Sequence, residues 1–462
     1  MPNTALATSR TEPLDLDLTP AALAMVWPGV GRPHEALAVP GIRLALGDVV
    51  VSVELATVCG SDLHTVAGHR NAPSPSVLGH EQVGHVLATA GVVRAVDGRR
   101  LEPGMRVVWS VVVACGRCAR CRRGLSNKCT SAEKYGHEAV HHAWELSGGF
   151  ASAVQLKRGT GIVIVDDETP AAVLAPASCA TATVVAAIEA AEQIVPLAAR
   201  TVLITGAGML GLTAAALATD AGARVIVSDP SAERRAAALR FGALAVADPT
   251  LAASEPGSLQ RVLAAHARGR GRGLCDVALE LSGAAPAVAT AVGSLDVGGV
   301  AVLVGSVSPS AAIKVDPERV VRQLLTVRGV HNYTAAHLQR AAEYLAVAWR
   351  RYPFEQLVGE VFPLEQIDQA FAAASAATAA TVPAGDSQAG ATPRNAVIAE
   401  VRGPGRLSAA GETFALAPPR LAAPTLARLA PARIGLAPSA VPTASLTPHP
   451  ERDRSGRRIA HE

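Results

Sequence analysis

The sequence predicts an α/β fold in which a β-rich first part leads into a doubly wound parallel sheet. Three observations carry this expectation. From Met25 to about Val165 the chain runs in short Val-rich stretches, such as DVVVSVELATV and GMRVVWSVVVA, separated by Gly and Pro; this is the pattern of short strands. From about Thr181 near-continuous apolar runs (TVLITGAG, ARVIVSD, ALAVAD, CDVALELSG, GVAVLVGSV) alternate with Ala-rich helical stretches. That alternation indicates a parallel sheet covered on both faces. Four of the seven cysteines fall between Cys115 and Cys129, which points to a metal site within the β-rich part.

Composition sets the broad class. A chain of 462 residues that is 49% hydrophobic has ample material for more than one core. Aromatics are only 3%, so the cores must be aliphatic. A net charge of +3 with mixed signs argues against nucleic acid as the main partner. The opening MPNTALATSRTEPLDLDL is acidic and broken by prolines, unlike a secretory signal. The uncharged run from Ala171 to Ile188 contains Pro176, Ser178 and Cys179 and reads as the buried start of a helix, not a membrane span. A cytoplasmic protein with no membrane partner is expected. An odd number of cysteines without a secretion signal favours metal-binding thiols over disulfides.

Taken in chain order, residues 1–20 read as a flexible extension and residues 21–178 as the β-rich domain. Residues 179–330 read as the parallel-sheet domain. Residues 331–402 return to mixed character, with a helix from about Ala335 and a short strand near Asn395–Val401. Within them, residues 373–393 (AASAATAATVPAGDSQAGATP) are of low complexity and read as a flexible loop. Residues 403–462, rich in Ala, Pro and Arg without periodicity, read as a disordered tail.

The cysteine cluster is spaced C-x2-C-x2-C-x7-C. Cys115, Cys118, Cys121 and Cys129 can close a four-thiolate tetrahedral zinc site with no open position, and such a site is structural. Arg117, Arg120, Arg122, Arg123 and Lys128 would ease the thiolate charge. An iron–sulfur cluster is the rival occupant. A second set lies in CGSDLH (Cys59 to His64) and GHEQVG (Gly79 to Gly84), with Cys179 at the seam between the two parts. Cys59, His80 and Cys179, with Glu81, provide three ligands and an open position, the arrangement of catalytic zinc. An alcohol bound there would lose its proton near neutral pH. Asp62 is placed to orient His80, and Ser61 and His64 to relay the proton to solvent.

In TVLITGAGMLGL a strand runs into Gly206, Ala207, Gly208, Met209, Leu210 and Gly211, then a helix. Gly206 permits the tight turn, Gly208 lets backbone approach a pyrophosphate, and Gly211 allows close helix–strand packing. Asp229 ends the next strand, where it would bind the adenosine ribose hydroxyls and repel a 2′-phosphate. NAD is therefore expected over NADP. Arg234 follows as a ribose or surface contact.

Together these residues resemble the zinc-dependent alcohol dehydrogenases of the medium-chain dehydrogenase/reductase family, from about Met25 to about Val401. The resemblance implies a GroES-like catalytic domain split in sequence around a Rossmann domain. It also implies two zinc ions per chain, one catalytic and one structural, with NAD as hydride carrier. Cys59, His80 and Cys179 would be the catalytic ligands with Glu81 beside the metal, Thr183 would touch the nicotinamide, and the four-cysteine lobe would be a fold staple. A homo-oligomer of two or four subunits acting on a small alcohol is implied as well. The stretches MVWPGVGRPHE, VCGSDLHTVAGHR, KYGHEA, SGGFAS, APASCATATV and VRGVHNY resemble a narrower group, the phosphonate catabolism-associated alcohol dehydrogenases. Arg70 and Lys134 would then wall the alcohol pocket and suit an anionic group, with His69 and His137 as further donors; the competing reading points these charges to solvent. A polyol or amino-alcohol dehydrogenase shares the same mechanism. A zinc-ribbon nucleic-acid binder, or a non-catalytic NAD-binding protein, leaves part of this residue set without a use.

Overall fold

The computed structural model describes residues 13–266, 273–307, 311–379 and 396–400, with 378–379 and 396–400 described by backbone alone. A long hairpin, β1 (Leu14–Trp27) and β2 (Glu35–Leu44), opens the chain. It is followed by β3 (Val49–Thr57), β4 (Ser76–Val77), β5 (Gln82–Thr89), β6 (Arg106–Val113), β7 (Glu133–Lys134), β8 (Ala153–Leu156) and β9 (Thr160–Ile164). β2, β1 and β4 form one sheet, while β3, β5, β6 and β7 lie side by side in a larger one, with β8 on β3 and β9 on β6. The apolar run of β6 is buried along its whole length, as a strand covered on both faces requires.

Residues 14–20 were expected in a flexible extension, but they belong to β1, where Leu14, Leu16 and Asp17 pair with Leu44, Ile42 and Gly41. The alternation LDLDL is a period-2 strand signal: the leucines are half-buried and the aspartates exposed. The prolines at 13 and 20 masked it.

The second part is a six-stranded sheet of β10 (Thr201–Thr205), β11 (Arg224–Ser228), β12 (Ala245–Ala247), β13 (Cys275–Glu280), β14 (Leu295–Leu303) and β15 (Thr326–Gly329). Every pair is parallel, in the order β12-β11-β10-β13-β14-β15. The order reverses between β10 and β13, so a crevice opens at their carboxyl ends, where such sheets bind ligands. The fold is α/β, a β-rich domain joined to a Rossmann-like parallel sheet.

β16 (Val358–Pro363) and β17 (Ala396–Glu400) return to the first part, with β17 parallel to β16 and antiparallel to β3. The expected strand near Asn395–Val401 is thus present, and the helix expected from Ala335 spans Ala335–Ala348. Residues 373–379, expected in a flexible loop, continue the helix Ile367–Ala379. An Ala-rich run needs only a buried face to stay helical, and here Ile367, Ala370, Phe371 and Ala374 supply it. Residues 380–393 of the expected loop, and the expected tail at 403–462, lie outside the described residues.

The uncharged stretch at 171–188 forms the segment Ala171–Ser178 and the helix Ala180–Glu192, bent by 56° at Cys179. Among the described residues no single helix is long and apolar enough to cross a membrane. These helices are buried in a core cluster that includes Leu55 and Val108 from the first part and Val202 and Ile204 from the second. The bend therefore brings Cys179 to the junction of the two parts.

Candidate active site

Four side chains from three segments converge at that junction. Cys59 caps the short helix Gly60–Val66, His80 and Glu81 immediately precede β5, and Cys179 stands at the bend. Their ligand atoms all lie within 4.8 Å of one another, and the two sulfurs are 4.0 Å apart. His80 and Glu81 are each only 3% exposed. Asp62 is equally buried; its carboxylate accepts from the Cys59 backbone N–H at 3.0 Å and faces His80 Nδ1 at 3.4 Å. The other ring nitrogen, Nε2, is left toward the cluster, with Ser61 Oγ 3.2 Å away. Glu81 accepts from the Thr57 hydroxyl.

The electrostatics fit a cation. Burial opposes charge on His80, yet the Asp62 carboxylate outweighs it and holds the imidazole well above its usual range. Burial, and then the Cys59 charge, push Glu81 well up. The hydrogen bond from Cys179 holds Cys59 well down, and the same contact pushes Cys179 up. So many buried acidic donors are costly unless a positive ion joins them. Two thiolates, an imidazole and a carboxylate are the donor set zinc accepts.

Two further residues brace the cluster. Ser178 Oγ donates to the His80 carbonyl at 3.1 Å, and the Ser178 carbonyl accepts from the Tyr333 hydroxyl. Tyr333 also accepts from the Val111 N–H at 3.2 Å. Sequence reading missed Ser178, Tyr333 and Thr57. Ser178 stood next to a candidate ligand, which was the one available signal. Of the expected relay, Ser61 faces the cluster, while His64 lies one turn on, exposed, with its Nδ1 3.4 Å from His69 Nδ1. Thr183 is one turn into the helix that Cys179 begins, its N–H donating to the Cys179 carbonyl at 3.2 Å.

The four lobe cysteines also gather their sulfurs within 4.8 Å. Backbone N–H groups point at them: Cys115 N to Cys129 Sγ and Cys118 N to Cys115 Sγ at 3.3 Å, and Cys121 N to Cys118 Sγ at 3.4 Å. Such donors favour thiolates; those from Thr130 and Cys121 lower Cys118 to about 5. Burial, and then the neighbouring Cys118 and Cys129 thiols, raise Cys121 to about 12.

At the crevice, Gly206 has φ +97°, and a Cβ there would lie 2.9 Å from the Ser282 side chain. A Cβ on Gly211 would lie 1.9 Å from the Gly206 carbonyl oxygen. At Gly208 a Cβ would meet nothing, which leaves an open cradle at the start of the helix Met209–Asp220; Met209 and Leu210 form its first turn. This suits a pyrophosphate held by backbone N–H groups. Asp229 follows β11, 4% exposed, and accepts from Ala207 N at 2.7 Å and Ser231 N at 2.8 Å. Arg234 lies in the first turn of the next helix, its N–H on Ser231 Oγ. The neighbouring Arg235, which sequence reading passed over, grips the Asp229 carbonyl at 2.7 Å and Asp248 at 2.9 Å.

Arg70 and Lys134 are both half-buried, and among the described residues neither side chain has a hydrogen bond or ion pair. Burial, then the charges of Lys128 and Arg70, lower Lys134. His137 lies beside His80, ring centroids 4.9 Å apart.

Comparison with known proteins agrees with this geometry. Residues 45–166 match the alcohol dehydrogenase GroES-like domain, and residues 210–347 match the zinc-binding dehydrogenase domain. An L-threonine 3-dehydrogenase of Streptomyces avermitilis is 33% identical over 303 residues, 63% of this chain and 79% of that protein. A 5-exo-hydroxycamphor dehydrogenase of Pseudomonas putida is 28% identical over 341 residues, 73% of this chain and 91% of its own. The crystal structure of an alcohol dehydrogenase from Thermotoga maritima superposes with a TM-score of 0.71 at 25% identity, covering 84% of this chain and 100% of that one.

Proposed function

The chain belongs to the zinc-binding alcohol dehydrogenases of the medium-chain dehydrogenase/reductase family, oxidoreductases acting on CH–OH groups, and within it we propose an NAD-dependent enzyme with two zinc ions per chain. The convergence of Cys59, His80, Glu81 and Cys179 at the junction of the two parts carries this reading. When bound, zinc there would polarise the substrate oxygen, and NAD would exchange a hydride with the carbon that bears it.

The chain's own residues do the rest. Cys59, His80 and Cys179 would hold the metal, and Asp62 fixes the His80 ring so that Nε2 faces inward. Ser61 takes the hydroxyl proton, and exposed His64, three residues further on the same helix face, passes it to water. Glu81, held by the Thr57 hydroxyl, would stand beside the metal, and Thr183 would line the nicotinamide edge. Asp229 favours NAD because its carboxylate would repel a 2′-phosphate. The lobe cysteines hold the second zinc as a staple.

The substrate in this reading is an alcohol with an anionic far end, a phosphonate included. Arg70 and Lys134 support it, because unpaired half-buried cations are costly unless an anion visits them. The identity to L-threonine 3-dehydrogenase favours a second reading, an amino-alcohol substrate.

The zinc-loaded protein should form NADH, followed by absorbance, with members of a panel of hydroxyalkyl phosphonates, amino alcohols and neutral alcohols. No turnover with any alcohol or corresponding aldehyde, in either direction and with either cofactor, would remove the proposal.

A further inference from the structure

The helix Gly60–Val66, which carries Ser61 and His64, ends in a way that sets two imidazoles side by side. Its last turn closes on a left-handed glycine, Gly68 at φ +76°. The Gly68 N–H donates to the Thr65 carbonyl at 3.0 Å, and the His69 N–H reaches back to the His64 carbonyl at 2.9 Å. These are the two bonds of a Schellman motif, which folds the second residue past the cap onto the third residue from the helix end. An apolar pair often fills those two positions. Here they are His69 and His64, both exposed. Their Nδ1 atoms stand 3.4 Å apart, while the ring centroids are 5.7 Å apart and the planes inclined at 50°. The rings therefore meet through their nitrogens and do not stack. A Cβ at position 68 would come within 3.3 Å of the Val30 side chain as well as straining the turn, so glycine is what lets this approach form.

We propose that His64 and His69 form a third metal site, exposed and weak, which takes zinc or a neighbouring transition ion and shuts the proton relay when occupied. The spacing carries it. Two imidazole nitrogens on one tetrahedral zinc ion, each about 2.0–2.1 Å from the metal, lie about 3.3–3.4 Å from each other. The observed separation of 3.4 Å matches that edge. The same separation is long for a hydrogen bond between the two rings, so the backbone motif that fixes it suits a shared ion better than a shared proton. Solvent would fill the remaining positions, and the ion would exchange more freely than in either cysteine-containing cluster. Imidazole selects zinc, nickel and copper(II) over magnesium and calcium, which prefer oxygen. The consequence for the relay follows from the lone pairs. A neutral imidazole has one nitrogen that carries hydrogen and one that accepts. An ion on Nδ1 of His64 takes the accepting pair and leaves the hydrogen on Nε2, so the ring can no longer receive the proton that Ser61 passes on. The metal site stands apart from the dehydrogenase reading; its effect on turnover rests on that reading, through His64.

The test is calorimetric titration of zinc chloride into the full chain already holding zinc in both cysteine-containing clusters. A third, weaker equivalent should appear in the wild type. His69→Ala should weaken it by at least about tenfold, since losing even a group that only orients a ligand costs that much, and His64→Gln should do the same. Turnover of a neutral alcohol is then followed, each protein referred to its own rate before zinc is added. It should fall in the wild type as the third equivalent binds, and hold in His69→Ala at the same zinc concentration. Magnesium chloride should neither bind nor inhibit. A third equivalent that is missing, or that both variants leave at wild-type strength, overturns the site and reduces the pair to a contact at a helix end. A third equivalent that both variants weaken, with inhibition unchanged in His69→Ala, overturns its hold on the relay. Calorimetry reads binding without turnover, so a protein that oxidises no alcohol would remove the dehydrogenase proposal while the titration still decides the metal site.

Discussion

The hydroxyl of Tyr333 donates to the backbone carbonyl of Ser178, the residue immediately before Cys179. Because Ser178 Oγ in turn donates to the His80 carbonyl, one buried phenol steadies the backbone behind two candidate ligands. Tyr333→Phe leaves the Ser178 carbonyl and the Val111 N–H without this partner in a dry site. It should cost about 1–3 kcal/mol of stability and quicken zinc loss from the neighbouring cluster. Denaturant unfolding and the rate of zinc transfer to a chromophoric chelator read the two effects. A variant with wild-type zinc kinetics would reduce Tyr333 to ordinary packing.

Metal removal should be graded. The lobe closes four thiols around one ion, whereas the set at Cys59, His80 and Cys179 leaves a place for substrate, and open sites exchange more readily. Mild chelation should abolish turnover while about one zinc per chain and the far-ultraviolet dichroism remain. Iron with visible absorbance, or full activity without metal, contradicts both assignments.

The legible part of the site is the part with local spacing. C-x2-C turns, CGSDLH and the glycine loop each group donors within a few positions, so Cys59 and the lobe could be picked out by eye, and Cys179 joined them through its place at a change of pattern. The strands were legible for the same reason, since β3, β6 and β10 to β14 are dense apolar runs. Tyr333 offered no such signal: its partner Ser178 lies 155 positions away, and contact at that range follows only from the sheet order. β1 failed differently, because Pro13 and Pro20 flank a Leu/Asp alternation that is itself a strand pattern. In the helix Ile367–Ala379 low complexity hid a real apolar face at Ile367, Ala370, Phe371 and Ala374.

The glycine loop should tolerate substitution unevenly. Gly208 has room for a methyl group, whereas at Gly211 the methyl would occupy the space of the Gly206 carbonyl. Gly211→Ala should therefore weaken both folding and NAD binding. Gly208→Ala should leave the melting temperature within a few degrees of wild type while intruding on the cradle where a pyrophosphate would lie. Thermal unfolding with and without NAD separates them. A Gly208→Ala protein that keeps wild-type NAD affinity would move the pyrophosphate elsewhere.

Asp229 has two tasks that can be pulled apart. Its carboxylate ties the glycine loop to the end of β11 through Ala207 N and Ser231 N, and its charge is what would repel a 2′-phosphate. Asp229→Asn keeps the shape and an acceptor but removes the charge, while Asp229→Gly removes everything. Both should erode the preference for NAD over NADP, by roughly tenfold to a hundredfold in the ratio of kcat/KM values, because a charged hydrogen bond to ribose and a repulsion are lost together. Only Asp229→Gly should also lower stability appreciably, since it leaves two backbone donors unpaired at a buried position. Steady-state kinetics with both cofactors and a melting curve for each variant make the check. A wild-type enzyme that already favours NADP would show that this carboxylate serves the loop alone, with cofactor choice made by another group, Arg234 or Arg235 being the first cations after it in sequence.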